Sequence, residues 1–211
     1  SLVGKTSIIK RYVYNAFNET MMSTIGMNYC VKSMTLKNEK KIKLKFVDTA
    51  GEERFKSLGK NYFANTDAIL FVFALNNIES FNNITSWIKI FEDSNANKLG
   101  IPRYLVGNKC DLEKEISQDK INEFLEQNNN IFTYKEISSK EENDKIKNFF
   151  QEIGERLYEE NKNQNRKTSN IKLIDSRKEK SRCALWVQKN IKYDYKIARS
   201  EERFSRNAET D

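Results

Sequence analysis

Three short stretches carry groups suited to one piece of chemistry, the holding of a polyphosphate with a cation. The first is Ser1-Leu2-Val3-Gly4-Lys5-Thr6, which matches the last six positions of the phosphate-loop pattern. In such a loop, successive backbone N–H groups and a helix start form a concave anion site. Lys5 reaches the β- and γ-phosphates, and the Thr6 hydroxyl ligates magnesium. Gly-Lys-Thr alone is a weak signal, common in loops that bind nothing.

The second stretch is Asp48-Thr49-Ala50-Gly51. An acidic residue leaving the C-terminal end of a strand beside a phosphate loop holds magnesium through water. Gly51 brings its backbone N–H to the γ-phosphate because nothing projects from its α-carbon. By itself this is an ordinary turn; downstream of Gly-Lys-Thr it gains meaning.

The third stretch, Asn108-Lys109-Cys110-Asp111, discriminates best. A carboxylate such as Asp111 accepts two hydrogen bonds from the N1–H and exocyclic amine of guanine. Adenine lacks that donor pair, so the wrong base leaves the bonds unmade. Lys109 lays its aliphatic stem on the base, and Asn108 ties this loop to the phosphate loop. Ser138-Ser139-Lys140 closes over the base with backbone N–H groups. The bland alternative for each is a polar turn.

These stretches need strands and helices to place them. Ile8 and Ile9 read as a helix running to about Tyr14. Residues 29–36 and 42–48 read as strands joined by a turn at Asn38-Glu39-Lys40, with Ile42, Leu44 and Phe46 alternating with Lys41, Lys43 and Lys45. That two-residue period marks a strand with one wet face. The apolar run 68–75 suits a central strand buried on both faces. A helix at 80–95, a strand at 104–107, a helix at 117–127, a strand at 131–137 and a helix at 142–158 follow. The alternation predicts an open α/β domain of the phosphate-loop NTPase kind, a six-stranded, mostly parallel sheet with helices on both faces. The strand that should precede Gly4 is missing from the chain, so Ser1 reads as a point where upstream residues have been lost.

Composition narrows the classes. There is no histidine, which excludes histidine-based catalysis and the usual zinc signatures. Three distant cysteines, Cys30, Cys110 and Cys183, make no disulfide framework and favour a reducing compartment. Nothing in the sequence reads as a membrane span or a secretory signal. Residues 1–160 carry equal numbers of basic and acidic side chains, so the net charge of +7 falls wholly in 161–211. The neutral body argues against nucleic acid, while the basic tail suits an anionic membrane surface or a solvated terminus. Residues 1–160 are read as the nucleotide-binding domain and 161–211 as a basic extension, largely disordered or weakly helical, with an apolar segment at 184–199.

Taken together, these motifs resemble those of a Ras-type small GTPase over residues 1–160. Ser23-Thr24-Ile25-Gly26 and Asp48-Thr49-Ala50-Gly51-Glu52-Glu53-Arg54-Phe55 are most similar to the Rab branch. The resemblance implies GTP or GDP with magnesium, bound by Ser1, Val3, Gly4, Lys5, Thr6, Ser7, Phe17, Thr24, Gly51, Asn108, Lys109, Asp111, Ser138, Ser139 and Lys140. The metal would be held by Thr6, Thr24 and Asp48. The catalytic set would be Glu52, Lys5, Thr24 and Gly51, and Phe17 would pack edge-on against guanine. Segments 17–28 and 51–66 would be switches, ordered by GTP and released on hydrolysis. They would be read by effectors, an exchange factor and an activating protein. A monomer at the cytosolic face of a membrane, regulating vesicle-mediated transport, is the implied setting.

Several positions depart from the family pattern. Glu52 stands where a glutamine usually orients the attacking water, and its charge lies close to an already negative transition state; slow hydrolysis is expected. Leu2 replaces a glycine of the phosphate loop. Tyr29 and Tyr62 keep two members of a Rab aromatic triad, but Val47 stands where tryptophan is usual. Prenylated Rabs end in cysteines, whereas Cys183 is internal and the chain ends Asn207-Ala208-Glu209-Thr210-Asp211; either this tail is an unusual extension or an artefact, or attachment would rest on the basic tail and partners. Two other readings compete. One is a GTP-binding structural or adaptor subunit with little activity; the other, disfavoured by Asn108, Lys109 and Asp111, is a different phosphate-loop enzyme such as a small kinase or ATPase.

Overall fold

The computed structural model describes residues 2–20, 22–24, 27–49, 66–94, 100–141, 143–168 and 188–189. Helix α1 spans Lys5–Tyr14, directly after Gly4. Strands β1 (Met27–Thr35) and β2 (Lys41–Thr49) form an antiparallel hairpin. Its turn includes Glu39 at φ 64°, a left-handed position. Then come β3 (Ile69–Ala74), helices α2 (Ile78–Asn82) and α3 (Ile84–Ser94), β4 (Arg103–Asn108), α4 (Gln118–Gln127), β5 (Phe132–Glu136) and α5 (Asn143–Thr168).

Strands β3, β4 and β5 pair in parallel, in that order. Parallel strands are covered by crossover helices on both faces, and the core shows this directly. Leu70, Val72 and Ala74 pack with Ile8, Ile9 and Tyr12 of α1 and with Phe149, Phe150 and Ile153 of α5. The intervening Ile69, Phe71 and Phe73 pack with Phe81, Ile84, Ile88 and Phe91 of α2 and α3 and with Ile121 of α4. All six residues of β3 are buried, as its unbroken apolar run predicts. Each buried phenylalanine of this set contributes roughly 1.5–3 kcal/mol by leaving water.

Among the described residues no strand joins β2 to β3. The two halves are separate three-stranded sheets, β1-β2-β6 and β3-β4-β5, where β6 is the two-residue Gln188–Lys189 set antiparallel on Leu44 and Lys45. This is the expected α/β architecture lacking one strand. Helix α5 lies across the hairpin half. Its Gly154 allows the close approach, since a methyl there would press on Met34 Sδ and Cε and on Ile42 Cδ1.

Two elements differ from expectation. The single helix expected over 80–95 is two, because Asn77 caps α2 through Ser80 N–H at 2.7 Å and the chain turns at Asn83 before α3 begins. Helix α5 runs to Thr168, past the end expected at 158 and into the basic extension. Residues 159–168 contain no glycine or proline, and Arg156 reaches Glu160 one turn on at 2.8 Å. Glu159, Glu160, Lys162, Gln164, Arg166 and Lys167 are good helix formers, and with such pairs they offset the asparagines between them in extending a helix already anchored by its apolar stripe.

Candidate functional site: a phosphate and base cavity

The C-terminal ends of β2, β4 and β5 and the start of α1 meet around an open cavity of about 440 Å³. Ligands collect at this edge of parallel sheets because loops diverge there and helix starts point in. Val3, Gly4, Lys5, Thr6, Ser7, Phe17, Thr24, Lys109, Asp111, Ser139 and Lys140 all line it.

Gly4 sits at φ 92°. A Cβ on it would fall on the Asn108 amide nitrogen, so both the turn and the space demand glycine. Leu2 also holds a left-handed backbone, φ 60°, with its side chain 61% exposed. Lys109 does the same at φ 63°. Left-handed non-glycine residues concentrate at ligand-binding loops, where the surroundings hold them in place.

At the phosphate end the Thr6 hydroxyl donates to Asp48 Oδ2 and lies 2.7 Å from the Thr24 hydroxyl. Asp48 is buried, and its Oδ1 has no hydrogen-bond partner. Burial raises its pKa above the ordinary aspartate value. Hydrogen bonds from Thr6 and Thr24 and the charges of Lys5 and Lys10 oppose that rise. Lys5 is partly buried, and desolvation shifts its pKa downward with the Asp48 charge opposing. A partly desolvated ammonium that lines a cavity, with the Asp48 carboxylate acting on it, is electrostatically suited to further anions.

At the other end Asn108, fully buried at the tip of β4, holds two loops. Its Nδ2 donates to the Val3 carbonyl at 2.9 Å and approaches Ser139 Oγ at 3.3 Å. Its Oδ1 accepts from Ser139 N–H at 3.1 Å. Ser138 lies beneath the cavity, its hydroxyl accepting from the N–H groups of Lys140 and Glu141 at 3.2 and 3.0 Å. The N–H groups of Ser139 and Lys140, expected to face a base, therefore have partners inside the protein, which a base would share or replace.

A model of the Ras family matches residues 1–159. The chain belongs to the Ras family. It is 42% identical to the Ras-related protein Rab-10 of Diplobatis ommata over 111 residues, 53% of this chain and 54% of that one. Over 120 residues it is 37% identical to the human Ras-related protein Rab-8B, 56% of each chain. The Ras-related protein Rab-10 of Caenorhabditis elegans is 35% identical over 139 residues, 65% of this chain and 67% of that one. The chain spans about half the length of the first of these curated relatives. The homology is to Rab-like small GTPases, at moderate identity over about half the chain.

Ras-family membership implies a nucleotide with magnesium, and the residues fit that metal. Two hydroxyls and a carboxylate converge, and a buried carboxylate oxygen lacks any partner. Magnesium prefers such hard oxygen donors and takes few from protein, keeping water and phosphate for the rest. Among the described residues no cluster of three or more carboxylates, cysteines or histidines offers another metal site.

Of the residues the sequence singles out, the structure brings Val3, Gly4, Lys5, Thr6, Ser7, Phe17, Thr24, Lys109, Asp111, Ser139 and Lys140 around one cavity, with buried Asp48, Asn108 and Ser138 hydrogen-bonded to residues that line it. Ser1, Gly51, Glu52 and Tyr62 lie outside the described residues. Tyr29 is exposed on β1 with Lys45 Nζ 5.1 Å over its ring, while its partner in register, Val47, is fully buried. The sequence reading missed Arg11 and Glu19. Their contacts join residues more than a hundred positions apart, and no periodicity or motif announces such a pairing. Among the described residues, no helix is long and apolar enough to cross a membrane.

Proposed function

We propose that this protein is a guanine-nucleotide switch. It binds GTP with magnesium, presents segments 17–28 and 51–66 to effectors, and loses that surface when GTP is hydrolysed to GDP. The observation that carries the reading is Asn108, whose one side chain joins the phosphate-loop carbonyl of Val3 to the base-closing residue Ser139 across a cavity lined by Lys5, Lys109 and Asp111.

Lys5 and the N–H groups opening α1 bind the phosphates, and Thr6, Thr24 and Asp48 hold the metal. When bound, magnesium neutralises phosphate charge and polarises the bond to be broken. Asp111 reads the base, with Lys109 and Phe17 packed on it. Gly51 and Glu52 act at the γ-phosphate, and the extra charge of Glu52 makes hydrolysis slow. The partners are effectors, an exchange factor and an activating protein, met by a monomer in vesicle-mediated transport. The basic residues of 161–211 favour the anionic cytosolic face of a membrane, and nucleic acid is not a partner.

A second reading, a GTP-binding adaptor with little hydrolysis, is favoured by Leu2, a side chain at φ 60° on the rim of the phosphate site. Single-turnover hydrolysis separates the two. Measurable GDP formation faster in Glu52→Gln than in the parent supports the switch. No turnover in either supports the adaptor.

A further inference from the structure

We propose that Arg11 is a positioning residue that clamps the base-closing loop to α1 and so sets how long the nucleotide stays bound. This deepens the guanine-nucleotide reading and rests on it.

Arg11 stands in the last turn of α1, away from the phosphate end. Its Nε donates to the Ser139 carbonyl at 2.9 Å and its Nη2 to the Lys140 carbonyl at 2.6 Å. A longer bond, 3.4 Å, runs from Nη1 to the Asn15 carbonyl, where the chain turns left-handed at φ 54°. The same guanidinium lies 5.6 Å from the centroid of the Phe17 ring. One planar fork thus meets the helix that begins with Lys5 and Thr6, the aromatic ring on the cavity wall, and the loop that closes on the base. A guanidinium serves two carbonyls in fixed geometry, which a lysine cannot do.

The Ser139 peptide is held on both sides. Asn108 takes its N–H and Arg11 its carbonyl. A second tie crosses the cavity mouth, where Lys140 Nζ meets Glu19 Oε1 at 2.7 Å. Because both ends of that pair are about half exposed or more, it is the weaker of the two restraints. Without Arg11 the Ser139 peptide keeps its Asn108 anchor, and the loop is tied across the cavity mouth by the weaker Lys140–Glu19 pair. The phosphate end is unaffected, since none of Arg11's hydrogen bonds goes to Lys5, Thr6 or Asp48. The clamp therefore acts on release and not on the chemical step.

The test uses the full-length protein and its Arg11→Gln, Arg11→Lys and Glu19→Gln variants. Each is loaded with fluorescent GDP and chased with unlabelled GDP. Single-turnover GTP hydrolysis and the unfolding midpoint of nucleotide-free protein are measured beside it. Release is expected to quicken roughly tenfold in both Arg11 variants, the effect of losing one charge-assisted contact. In Glu19→Gln it quickens by about fivefold at most. Hydrolysis stays at the parent rate, and the nucleotide-free midpoint falls only by what losing these hydrogen bonds costs, about 2–4 °C. Arg11→Lys keeps the charge and most of the stem, so it carries the test if Arg11→Gln does not fold. Release at the parent rate in Arg11→Lys overturns the clamp, as does a matching fall in hydrolysis and midpoint, which would make Arg11 only structural. A parent that takes up no GDP overturns the guanine-nucleotide reading itself, and the clamp with it.

Discussion

Asn108 donates to the Val3 carbonyl at 2.9 Å while Gly4, the next residue, has no room for a Cβ against the same amide. The phosphate loop and the β4 tip are thus fitted to each other, one by a hydrogen bond and the other by the lack of a side chain. Asn108→Asp keeps the shape but removes the donor and sets a carboxylate oxygen against a carbonyl. Burying such a mismatch should cost about 2–4 kcal/mol. Urea unfolding of parent and variant measures it, and the variant should also bind nucleotide more weakly.

Leu2 gives a prediction of the opposite sign. A leucine held at φ 60° is strained by roughly 1–2 kcal/mol, and a largely exposed side chain recovers little by packing. Leu2→Gly should stabilise the protein by about 1 kcal/mol, raising its thermal midpoint by about 2–4 °C. Differential scanning calorimetry on both proteins checks this.

The metal end predicts a pH dependence. Burial raises the pKa of Asp48, so without a cation the folded state prefers the neutral acid. The stabilisation from that preference is fully present below the ordinary aspartate range and is lost as pH rises through the raised value. A bound cation needs the carboxylate, so magnesium affinity should fall as pH is lowered toward the same value. Denaturant titrations in chelator across acidic to neutral pH should show the first effect in the parent, and Asp48→Asn should lack it. Chelating the metal at neutral pH should speed GDP release.

Glu52 is the position where the family resemblance and the charge argument disagree most. A carboxylate close to the transferring phosphoryl group opposes the charge that must be stabilised there. Glu52→Gln should raise the single-turnover hydrolysis rate by about tenfold or more, one such charge being worth at least 1.4 kcal/mol at close range. Rapid-quench measurement of GDP formation gives the ratio.

The parts of this molecule legible in its sequence are those governed by local pattern. The run 69–74 is apolar at every position and is buried at every position. The motif residues lie at strand ends, so placing the strands places Asp48, Asn108 and Ser138. What the sequence hid depends on geometry between distant segments. Arg11 looks like one of two basic residues flanking an apolar pair, yet it grips carbonyls at positions 139 and 140. The end of α5 was equally hidden, because polar helix formers after an apolar stripe read the same whether they continue the helix or leave it. The N–H of Ser139 shows a finer limit: the sequence motif names a base-closing loop, but only the fold reveals that this N–H already donates to Asn108 Oδ1.

In the switch proposed above Asp111 and its loop read guanine, and competition binding between bases puts that to the test. With magnesium present, full-length protein loaded with fluorescent GDP is titrated with unlabelled GDP and with ADP. GDP should displace the probe at least roughly a hundredfold more effectively, because adenine leaves the Asp111 bonds unmade. Equal displacement by ADP, or a preference for it, would contradict it.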